Sequence, residues 1–379
     1  MASYLPFSPV EIRFMQKEAA LSRVEELLAG KGPVLVLIQD RMMARLHLDE
    51  WVKNLTHNHG GMGFHQIPAN PDITDLYRVL NTLGKQQFGC ILAIGGGSCM
   101  DLAKAVCAFH GLIPPEKLSA DRVREIIQNR KYEDGRIRPD IIVLPTTAGT
   151  GSEVTRWATV WDQVKGEKLS VEMESLFPKA ALVVPEFTAL MPEKLTLSTG
   201  LDALSHAMEA FWAVRRTPLS QALALQAIGD IRDALPRALQ NPGDFDARQA
   251  MCTASLTAGL AFSITRTTAC HAISYPLTLL HGVPHGFAAA LTLNSVMMLN
   301  RAAVPEISRI ENMFLSAGGF HLWIEKVSKD IQPLSLGAFG IAANDIASIS
   351  EKSFTKGRMD NNPVSFSQED IQTLLQACL

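Results

Sequence analysis

A chain of 379 residues, of which 47% are hydrophobic and 19% charged, has the composition of a globular protein and is long enough for two domains. Its formal net charge of -3 gives no positive field that would attract a phosphodiester backbone, and no run of Lys or Arg suits a nucleic-acid-binding tail. Nucleic acid is therefore excluded as an expected partner.

The cysteines and the apolar segments indicate the cellular compartment in which the protein is expected. None of the six cysteines forms a CxxC pair or a regular pattern, which predicts neither a disulfide framework nor a cysteine zinc site and fits a reducing environment. The chain begins MASYLPFSPVEIRF, with Glu11 and no uninterrupted apolar core, so we expect no secretory signal. No later stretch reaches about 18 uncharged apolar residues, and we expect a cytoplasmic protein without a membrane span.

The first half of the chain alternates short apolar strands with helical patterns, which is typical of βαβ units and a mostly parallel sheet. Four strands are predicted, each apolar and ended by Gly, Pro, Asp or Thr: PVLVLIQD (33–40), CILAIGGG (90–97), DIIVLPTT (140–147) and AALVVP (180–185). After about residue 190 only long helical patterns follow. The sequence predicts an α/β domain over residues 1–188 and an all-α domain over residues 189–379.

A glycine-rich segment follows the strand CILAI. Gly95, Gly96, Gly97 and Ser98 lead directly into a helix that carries Asp101. Backbone N–H groups at a helix N-terminus, without side chains in front of them, suit a diphosphate. The spacing GGGSxxDxxK is not the GxGxxG fingerprint of Rossmann folds, and an ordinary strand-to-helix turn is the alternative interpretation.

A second polar loop follows the next predicted strand, at the carboxyl edge where α/β sheets bind ligands. In PTTAGTGSEVT, Thr146, Thr147, Thr150 and Ser152 provide hydroxyl groups; a tight polar turn without a ligand is the alternative. Asp40, at the end of the first predicted strand, could accept both hydroxyls of an adenosine ribose and would repel a 2'-phosphate. This favours NAD over NADP, unless Asp40 is only a turn residue or a helix N-cap.

One carboxylate and three histidines form a candidate metal site in the helical half. Asp202 and His206 lie four residues apart, so both project from one helix face. Glu209 shares that face and is a candidate either for supporting a ligand or for a structural role. His271 and His285 are separated by Pro and Gly residues, which indicates two helical segments folded back onto one site. Such N and O ligands suit Fe(II) or Zn(II). A single histidine on a helix is more often an ordinary core or surface residue, which is the alternative.

Taken together, these segments resemble the iron-containing (group III) alcohol dehydrogenase family over almost the whole chain. The matching elements occur in order: Asp40, Asn70-Pro71, GGGSCMDLAK, PTTAGTGSEVT, Lys168, the stretch 182–192, DALSHAMEA, AGLAFS, HAISYPLT, VPHG and Asn362-Pro363. The resemblance implies a nucleotide-binding α/β domain followed by an all-α metal-binding domain, as in the dehydroquinate synthase-like architecture.

The resemblance also implies roles for single residues. The glycine segment 95–98 would bind the pyrophosphate of NAD, the second loop and Asp40 would bind the rest of the nucleotide, and Asn70 and Lys168 would lie near it. Asp202, His206, His271 and His285 would hold the metal. The implied reaction is hydride exchange between nicotinamide and a small alcohol or aldehyde whose oxygen is polarised by the metal. A homodimer or a larger homo-oligomer is expected.

Two departures from the family pattern mark candidate catalytic side chains. Members often have a second histidine four residues after the ligand that His271 matches, and here Tyr275 stands there. Arg266 precedes His271 by five residues, as in members that reduce phosphonoacetaldehyde, and could hold an anionic substrate unless it is only a helix-end charge. Alternative functions are a dehydroquinate-synthase-like lyase or cyclase and a non-catalytic nucleotide-binding member.

Overall fold

The computed structural model describes residues 8–379. The first seven residues, which form half of the segment in which no secretory signal is expected, lie outside the described residues. The chain divides into two units: an α/β unit that extends to Thr147 and includes Ser152–Leu190, and a helical unit formed by Ala148–Gly151 and Met191–Leu379.

The α/β unit contains the strands of the described chain. They are β1 (Glu11–Phe14), β2 (Val34–Ile38), β3 (Met62–Phe64), β4 (Cys90–Gly95), β5 (Asp140–Pro145), β6 (Trp157–Asp162), β7 (Glu167–Glu172) and β8 (Ala180–Val183). Six of them form a parallel sheet in the order β1-β8-β5-β4-β2-β3, and β6 and β7 form a separate antiparallel hairpin. Such a sheet needs cover on both faces.

The central strands bury both faces because their residues alternate between two cores. In β4, Ile91 and Ala93 belong to one hydrophobic cluster, whereas Leu92 and Ile94 belong to the other. All five residues of β2 are likewise buried. This period of two explains why these strands read as continuous apolar runs in the sequence.

Both units of the described chain contain helices. In the α/β unit they are α1 (Lys17–Leu28), α2 (Asp40–Arg45), α3 (Asp49–Asn58), α4 (Ile73–Leu83), α5 (Gly97–Phe109), α6 (Ala120–Gln128) and α7 (Pro185–Thr188). In the helical unit they are α8 (Glu193–Trp212), α9 (Pro218–Gln240), α10 (Phe245–Thr265), α11 (Ala269–His281), α12 (His285–Ala290), α13 (Leu293–Asn300), α14 (Ser308–Met313), α15 (Phe320–Ser328), α16 (Ile346–Glu351) and α17 (Gln368–Gln376).

The strand order creates a topological switch point between β2 and β4. The chain passes from β2 to β3 on one side, and then returns to β4 on the other side of β2. In open α/β sheets, ligands bind outside the carboxyl ends of the strands at such a point. Asp40 and the glycine segment follow the two strands concerned.

Helix α8 is buried on all sides and forms the centre of the helical unit. It packs against α9, α10 and α12, and every residue from Thr196 to Trp212 is buried. A helix without a solvent face normally carries apolar residues. The buried polar residues of α8 therefore indicate a structural or functional role.

The predicted fold class is confirmed. The four predicted strands correspond to β2, β4, β5 and β8, and β8 is the last strand of the described chain. The sequence analysis did not predict β1, β3 and the β6–β7 hairpin. β1 and β3 are short, and β7 is mostly polar. All six cysteines fall in the described range and are free thiols. Among the described helices, none combines the length and the apolar character that crossing a membrane requires.

Candidate functional site

Helix α8 brings two of the candidate ligands together. Asp202 and His206 lie one helical turn apart, and the distance from Asp202 Oδ1 to His206 Nε2 is 4.0 Å. Both side chains are almost fully buried, with 5% and 7% of their surface exposed. The helix thus directs a carboxylate and an imidazole to one point inside the unit.

The other two histidines come from α11 and α12. Asp202 Oδ1 lies 3.5 Å from His271 Nε2 and 3.9 Å from His285 Nε2. The donor atoms of Asp202, His271 and His285 all lie within 4.8 Å of one another. Gly286 allows this approach, because a Cβ there would lie 1.9 Å from the carbonyl oxygen of Ser198 on α8. The start of α12, and with it His285, can therefore lie directly against α8.

The Nδ1 atoms of two histidines contact acceptors. His206 Nδ1 lies 3.3 Å from the carbonyl oxygen of Gly149, and His271 Nδ1 contacts the carboxylate of Glu209. A carbonyl or an ionised carboxylate only accepts hydrogen bonds, so the Nδ1 atom must carry the proton. The lone pair of the neutral ring is then on Nε2, which faces Asp202.

The Nδ1 atom of His285 also carries the proton, because it contacts a hydroxyl group that cannot donate to it. Ser274 Oγ donates its one proton to the carbonyl oxygen of His271 at 2.7 Å. Its contact with His285 Nδ1 at 3.4 Å therefore requires Nδ1 to be the donor. All three Nε2 lone pairs converge on one carboxylate oxygen.

This cluster fits a divalent metal ion. Within the described structure, Asp202 Oδ1 and His271 Nε2 are buried without a hydrogen-bond partner, and their 3.5 Å separation is longer than an N–H···O hydrogen bond. Each such group costs about 1–3 kcal/mol, which a folded chain rarely tolerates without a ligand. Ligands about 2.1 Å from a tetrahedral ion lie about 3.4 Å apart, close to the observed separations. The donor set suits Fe(II) or Zn(II).

The electrostatics of the cluster also favour a cation. Burial lowers the pKa of His206 to about 4, so its ring is neutral at neutral pH. Burial alone would raise the pKa of Asp202, but the positive charge that His206 carries at acidic pH and a contact with His271 hold this pKa well below its usual value. Burial would lower the pKa of His271, yet the charge of Glu209 and contacts with Asp202 and Glu209 raise it to about 10. Positive charge is thus favoured between the carboxylates of Asp202 and Glu209. A metal ion can supply this charge in place of the extra proton on His271.

In the α/β unit, the glycine segment joins β4 to α5. Gly95 ends β4, Gly96 is the N-cap of α5, and Ser98 lies in its first turn. A Cβ on Gly96 would lie 3.1 Å from the side chain of Thr147, so the glycine lets the second loop pack on the first. Ser98 Oγ accepts a hydrogen bond from the backbone N–H of Asn70 at 3.1 Å. The structure therefore brings these predicted residues together at the switch point.

The second loop offers hydroxyl groups that fit a nucleotide. Thr146 Oγ1 and Thr147 Oγ1 are buried and have no hydrogen-bond partner within residues 8–379. Both follow β5, next to the glycine segment that ends β4. Buried hydroxyls are almost always paired, so two adjacent unpaired ones indicate a place for a polar ligand.

Asp101 and Ser152 instead bond inside the α/β unit. Ser152 Oγ donates to Asp101 Oδ1 at 2.7 Å, and the N–H of Thr159 donates to Asp101 Oδ2 at 2.9 Å. The buried Lys104 donates to the hydroxyl and carbonyl oxygens of Ser152 at 2.8 and 2.6 Å. Through these contacts, Asp101 and Ser152 hold the second loop on α5.

The remaining predicted nucleotide residues are more dispersed. Asp40 is the first residue of α2 and 73% of its side chain is exposed, with His65 Nδ1 at 4.0 Å. Lys168 lies on β7 opposite Trp161. Thr150 lies in the short segment that belongs to the helical unit.

Tyr275 and Arg266 occupy different environments. Tyr275 lies one turn after His271 on α11, and its ring stacks on His285 with centroids 6.1 Å apart and planes 8° from parallel. Arg266 ends α10 with φ 65° and ψ 176°. This region of backbone space is almost restricted to glycine and costs about 1–3 kcal/mol. Asn361 holds the strained turn, because its Nδ2 donates to the carbonyl oxygens of Thr265 and Thr267 at 2.9 and 3.1 Å.

Two successive family matches cover this architecture. Residues 11–185 match the family described as iron-containing alcohol dehydrogenase, and residues 196–379 match the Fe-containing alcohol dehydrogenase family, C-terminal. Only residues 1–10 and 186–195 lie outside the two matches. The chain belongs to the iron-containing alcohol dehydrogenase family.

Similar proteins include named reductases. The probable alcohol dehydrogenase EutG of Salmonella typhimurium is 39% identical over 242 residues, 63% of this chain and 58% of that protein. The phosphonoacetaldehyde reductase of Streptomyces viridochromogenes is 38% identical over 241 residues, 63% of this chain and 59% of that protein. These alignments thus span less than two thirds of either relative. The crystal structure of sulfoacetaldehyde reductase from Bifidobacterium kashiwanohense in complex with NAD+ is 29% identical, with a TM-score of 0.83 over 98% of this chain and 97% of that chain.

In this member of the family, two of the groups that orient the histidines were not predicted from the sequence. Neither the carbonyl of Gly149 nor the hydroxyl of Ser274 was singled out, whereas Glu209 was predicted either to support a metal ligand or to have a structural role, because it shares a helix face with Asp202. A backbone carbonyl has no sequence signal of its own. The spacing from Asp202 marked Glu209 as a candidate but did not give its partner, because His271 lies on another helix.

Proposed function

We propose that this protein is a metal-dependent, NAD(H)-linked oxidoreductase that interconverts a small aldehyde and its alcohol, with an anionic aldehyde as the preferred substrate. The observation that carries the proposal is the convergence of three histidine Nε2 atoms on Asp202 Oδ1, at 3.5 to 4.0 Å. Family membership supports the reaction class.

Asp202, His206, His271 and His285 would hold one Fe(II) or Zn(II) ion. Bound there, the metal would polarise the substrate carbonyl, and NADH would supply the hydride. The chain itself contributes rigidity, because α8 is buried on all sides and each Nδ1 atom is engaged elsewhere. His285 is the most exposed of the four side chains, at 28%, so we expect the substrate oxygen to approach on its side.

NAD would bind at the switch point of the α/β unit. The unpaired hydroxyls of Thr146 and Thr147 and the N-terminus of α5 supply polar groups at the carboxyl edge of the sheet. The exposed carboxylate of Asp40 favours NAD over NADP because it would repel a 2'-phosphate. The relative solved with NAD+ supports this preference.

Arg266 supports an anionic substrate. A non-glycine residue in a conformation that costs about 1–3 kcal/mol is found where function requires its side chain. A guanidinium can pair with the oxygens of a phosphonate or sulfonate through two parallel hydrogen bonds. The named relatives include a phosphonoacetaldehyde reductase and a sulfoacetaldehyde reductase, which is consistent with this substrate class.

Tyr275 is the proposed proton donor to the product alkoxide. Its ring stacks on His285, the side on which we expect the substrate, and only 4% of the residue is exposed. Its unperturbed pKa of about 10 makes a phenol a weaker acid than the imidazolium that relatives often have at this position. It retains a donor hydroxyl.

An activity screen tests the proposal. Purified protein is loaded with Fe(II) or Zn(II), and nicotinamide absorbance is followed with phosphonoacetaldehyde, sulfoacetaldehyde and neutral aldehydes of similar size. We expect kcat/KM to be at least about tenfold higher for the anionic aldehydes, equivalent to about 1.4 kcal/mol. Absence of turnover with every aldehyde and alcohol, despite bound metal and NADH, would refute the reaction class. Equal rates on charged and neutral aldehydes would refute the substrate class alone.

A further inference from the structure

We infer that Glu209 is a positioning residue that sets the tautomer and the orientation of His271, so that Nε2 of this ring is presented to the metal. The inference rests on the proposed metal site, but not on the proposed substrate. Glu209 is fully buried on α8, three residues after His206 and seven after Asp202, so it projects from the same helix face. One helix thus carries two candidate ligands and the carboxylate that contacts a third.

The two oxygens of Glu209 have different partners. Oε1 accepts hydrogen bonds from the backbone N–H groups of Thr268 and Cys270, both at 2.9 Å, and of His271 at 3.3 Å. These donors lie at the N-terminus of α11, where N–H groups have no partner within the helix. Oε2 contacts His271 Nδ1. A single side chain therefore holds both the backbone and the ring of His271.

The hydrogen bonds around Glu209 run in one direction. The indole N–H of Trp212 donates to Thr268 Oγ1 at 3.0 Å, so this hydroxyl is free to give its proton to Glu209 Oε1, at 2.7 Å. The carboxylate thus accepts a hydrogen bond from each of these partners and cannot donate to the ring. His271 Nδ1 must carry the proton, which leaves the lone pair of the neutral ring on Nε2, facing Asp202.

A purely structural role would be that Glu209 only caps α11. The Glu209→Gln variant separates the two roles because glutamine has the same size. Its amide oxygen can still accept from the backbone N–H groups, but its NH2 group then points at His271 Nδ1 and donates to it. The proton of the neutral ring is forced onto Nε2, which then cannot bind a metal. A cap alone predicts no such effect.

The first experiment measures Zn(II) affinity of the metal-free full-length chain, by competition with a chromophoric chelator. For Glu209→Gln we expect affinity to fall by about 10- to 100-fold, the range found when partners of metal-binding histidines are removed. We expect its melting temperature in EDTA to stay near that of the parent. Affinity within twofold of the parent overturns the inference.

Two threonine variants on the same segment serve as a matched pair. Thr268→Val removes the hydroxyl that links Trp212 to Glu209, and we expect a smaller loss, below about tenfold. Thr278→Val is the control, because Thr278 is also buried on α11 and its hydroxyl has no partner in the described chain. Equal affinities for the two valine variants would overturn the inference.

A spectroscopic readout covers the case in which Glu209→Gln does not fold. In Zn(II)-loaded wild-type protein with 15N-labelled histidine, the His271 signals are identified by their loss in His271→Ala. We expect a directly bonded proton on Nδ1, and in a folded Glu209→Gln variant on Nε2. A wild-type His271 with its proton on Nε2 overturns the inference. No substrate is present in these measurements, so failure of the proposed reaction is recognised separately.

Discussion

In the α/β unit, the fully buried Lys104 donates hydrogen bonds to oxygens of Ser152, Thr155 and Trp157, so its ammonium is satisfied by the protein itself. In the helical unit, Asp202 and His271 are almost as deeply buried, yet Asp202 Oδ1 and His271 Nε2 find no partner within the described residues. An unpaired buried polar group costs about 1–3 kcal/mol. The first arrangement stabilises a fold, whereas the second needs a ligand. Unpaired atoms of different side chains that face one another, rather than burial or charge, distinguish this candidate site from a structural network.

Replacing Asp202 by Asn tests the helical side of this comparison and has the largest expected effect. The neutral amide removes the charge on which the three imidazoles converge, so we expect metal to be lost on dialysis. Turnover of NADH should fall about 1000-fold, equivalent to about 4 kcal/mol of transition-state stabilisation. Metal content and nicotinamide absorbance are the measurements.

Thermal unfolding provides the control for Asp202→Asn. A ligand that binds only the folded state stabilises it, so added Zn(II) should raise the melting temperature of the parent but not of the variant. A variant that keeps one metal per chain would show that Asp202 is not a ligand.

Replacing Lys104 by Met tests the satisfied network of the α/β unit. The variant leaves oxygens of Ser152, Thr155 and Trp157 buried without their donor, so we expect the free energy of unfolding to fall by about 2–4 kcal/mol. Chemical denaturation measures this change.

The exposed Lys85 offers the matched control for Lys104. Lys85→Met should change the free energy of unfolding by less than about 0.5 kcal/mol. If both lysine variants are equally stable, the network around Lys104 does not stabilise the α/β unit as we argue.

Arg266 differs from both Lys104 and Asp202, because it is a charged residue with a strained backbone conformation. Arg266→Gly and Arg266→Ala both lack the side chain, but only glycine adopts φ 65° and ψ 176° without strain. We therefore expect the glycine variant to be more stable than the alanine variant by about 1–2 kcal/mol, measured by denaturation. Both should lose about tenfold in kcat/KM on anionic aldehydes and little on neutral ones. Equal stability of the two variants would argue against strain at this position.

Asp40 carries an exposed charge, and the smallest effect is expected there. Asp40→Gly should relax the preference for NAD over NADP by about tenfold, equivalent to about 1.4 kcal/mol, because the charge that would repel a 2'-phosphate is removed. The ratio of kcat/KM for NADH and NADPH measures this. Unchanged selectivity would count against contact with the ribose.

Much of the fold could be predicted because its signals are local. Strands buried on both faces read as apolar runs, and β2, β4, β5 and β8 were predicted in this way. The edge strands β1 and β3 were missed, since β1 has exposed residues and β3 is only three residues long. In the β6–β7 hairpin, β7 was missed because four of its six residues, EKLSVE, are polar.

In the candidate site too, local spacing could be predicted from the sequence, whereas contacts between distant residues could not. Helical periodicity by itself determined that Asp202 and His206 share a face, since residues four apart always do. Only the tertiary structure decided that Glu209 contacts His271, 62 residues further along the chain. It also decided which histidine nitrogen faces Asp202. Such contacts depend on how buried helices pack, and packing is set by many side chains together rather than by the spacing of any two residues.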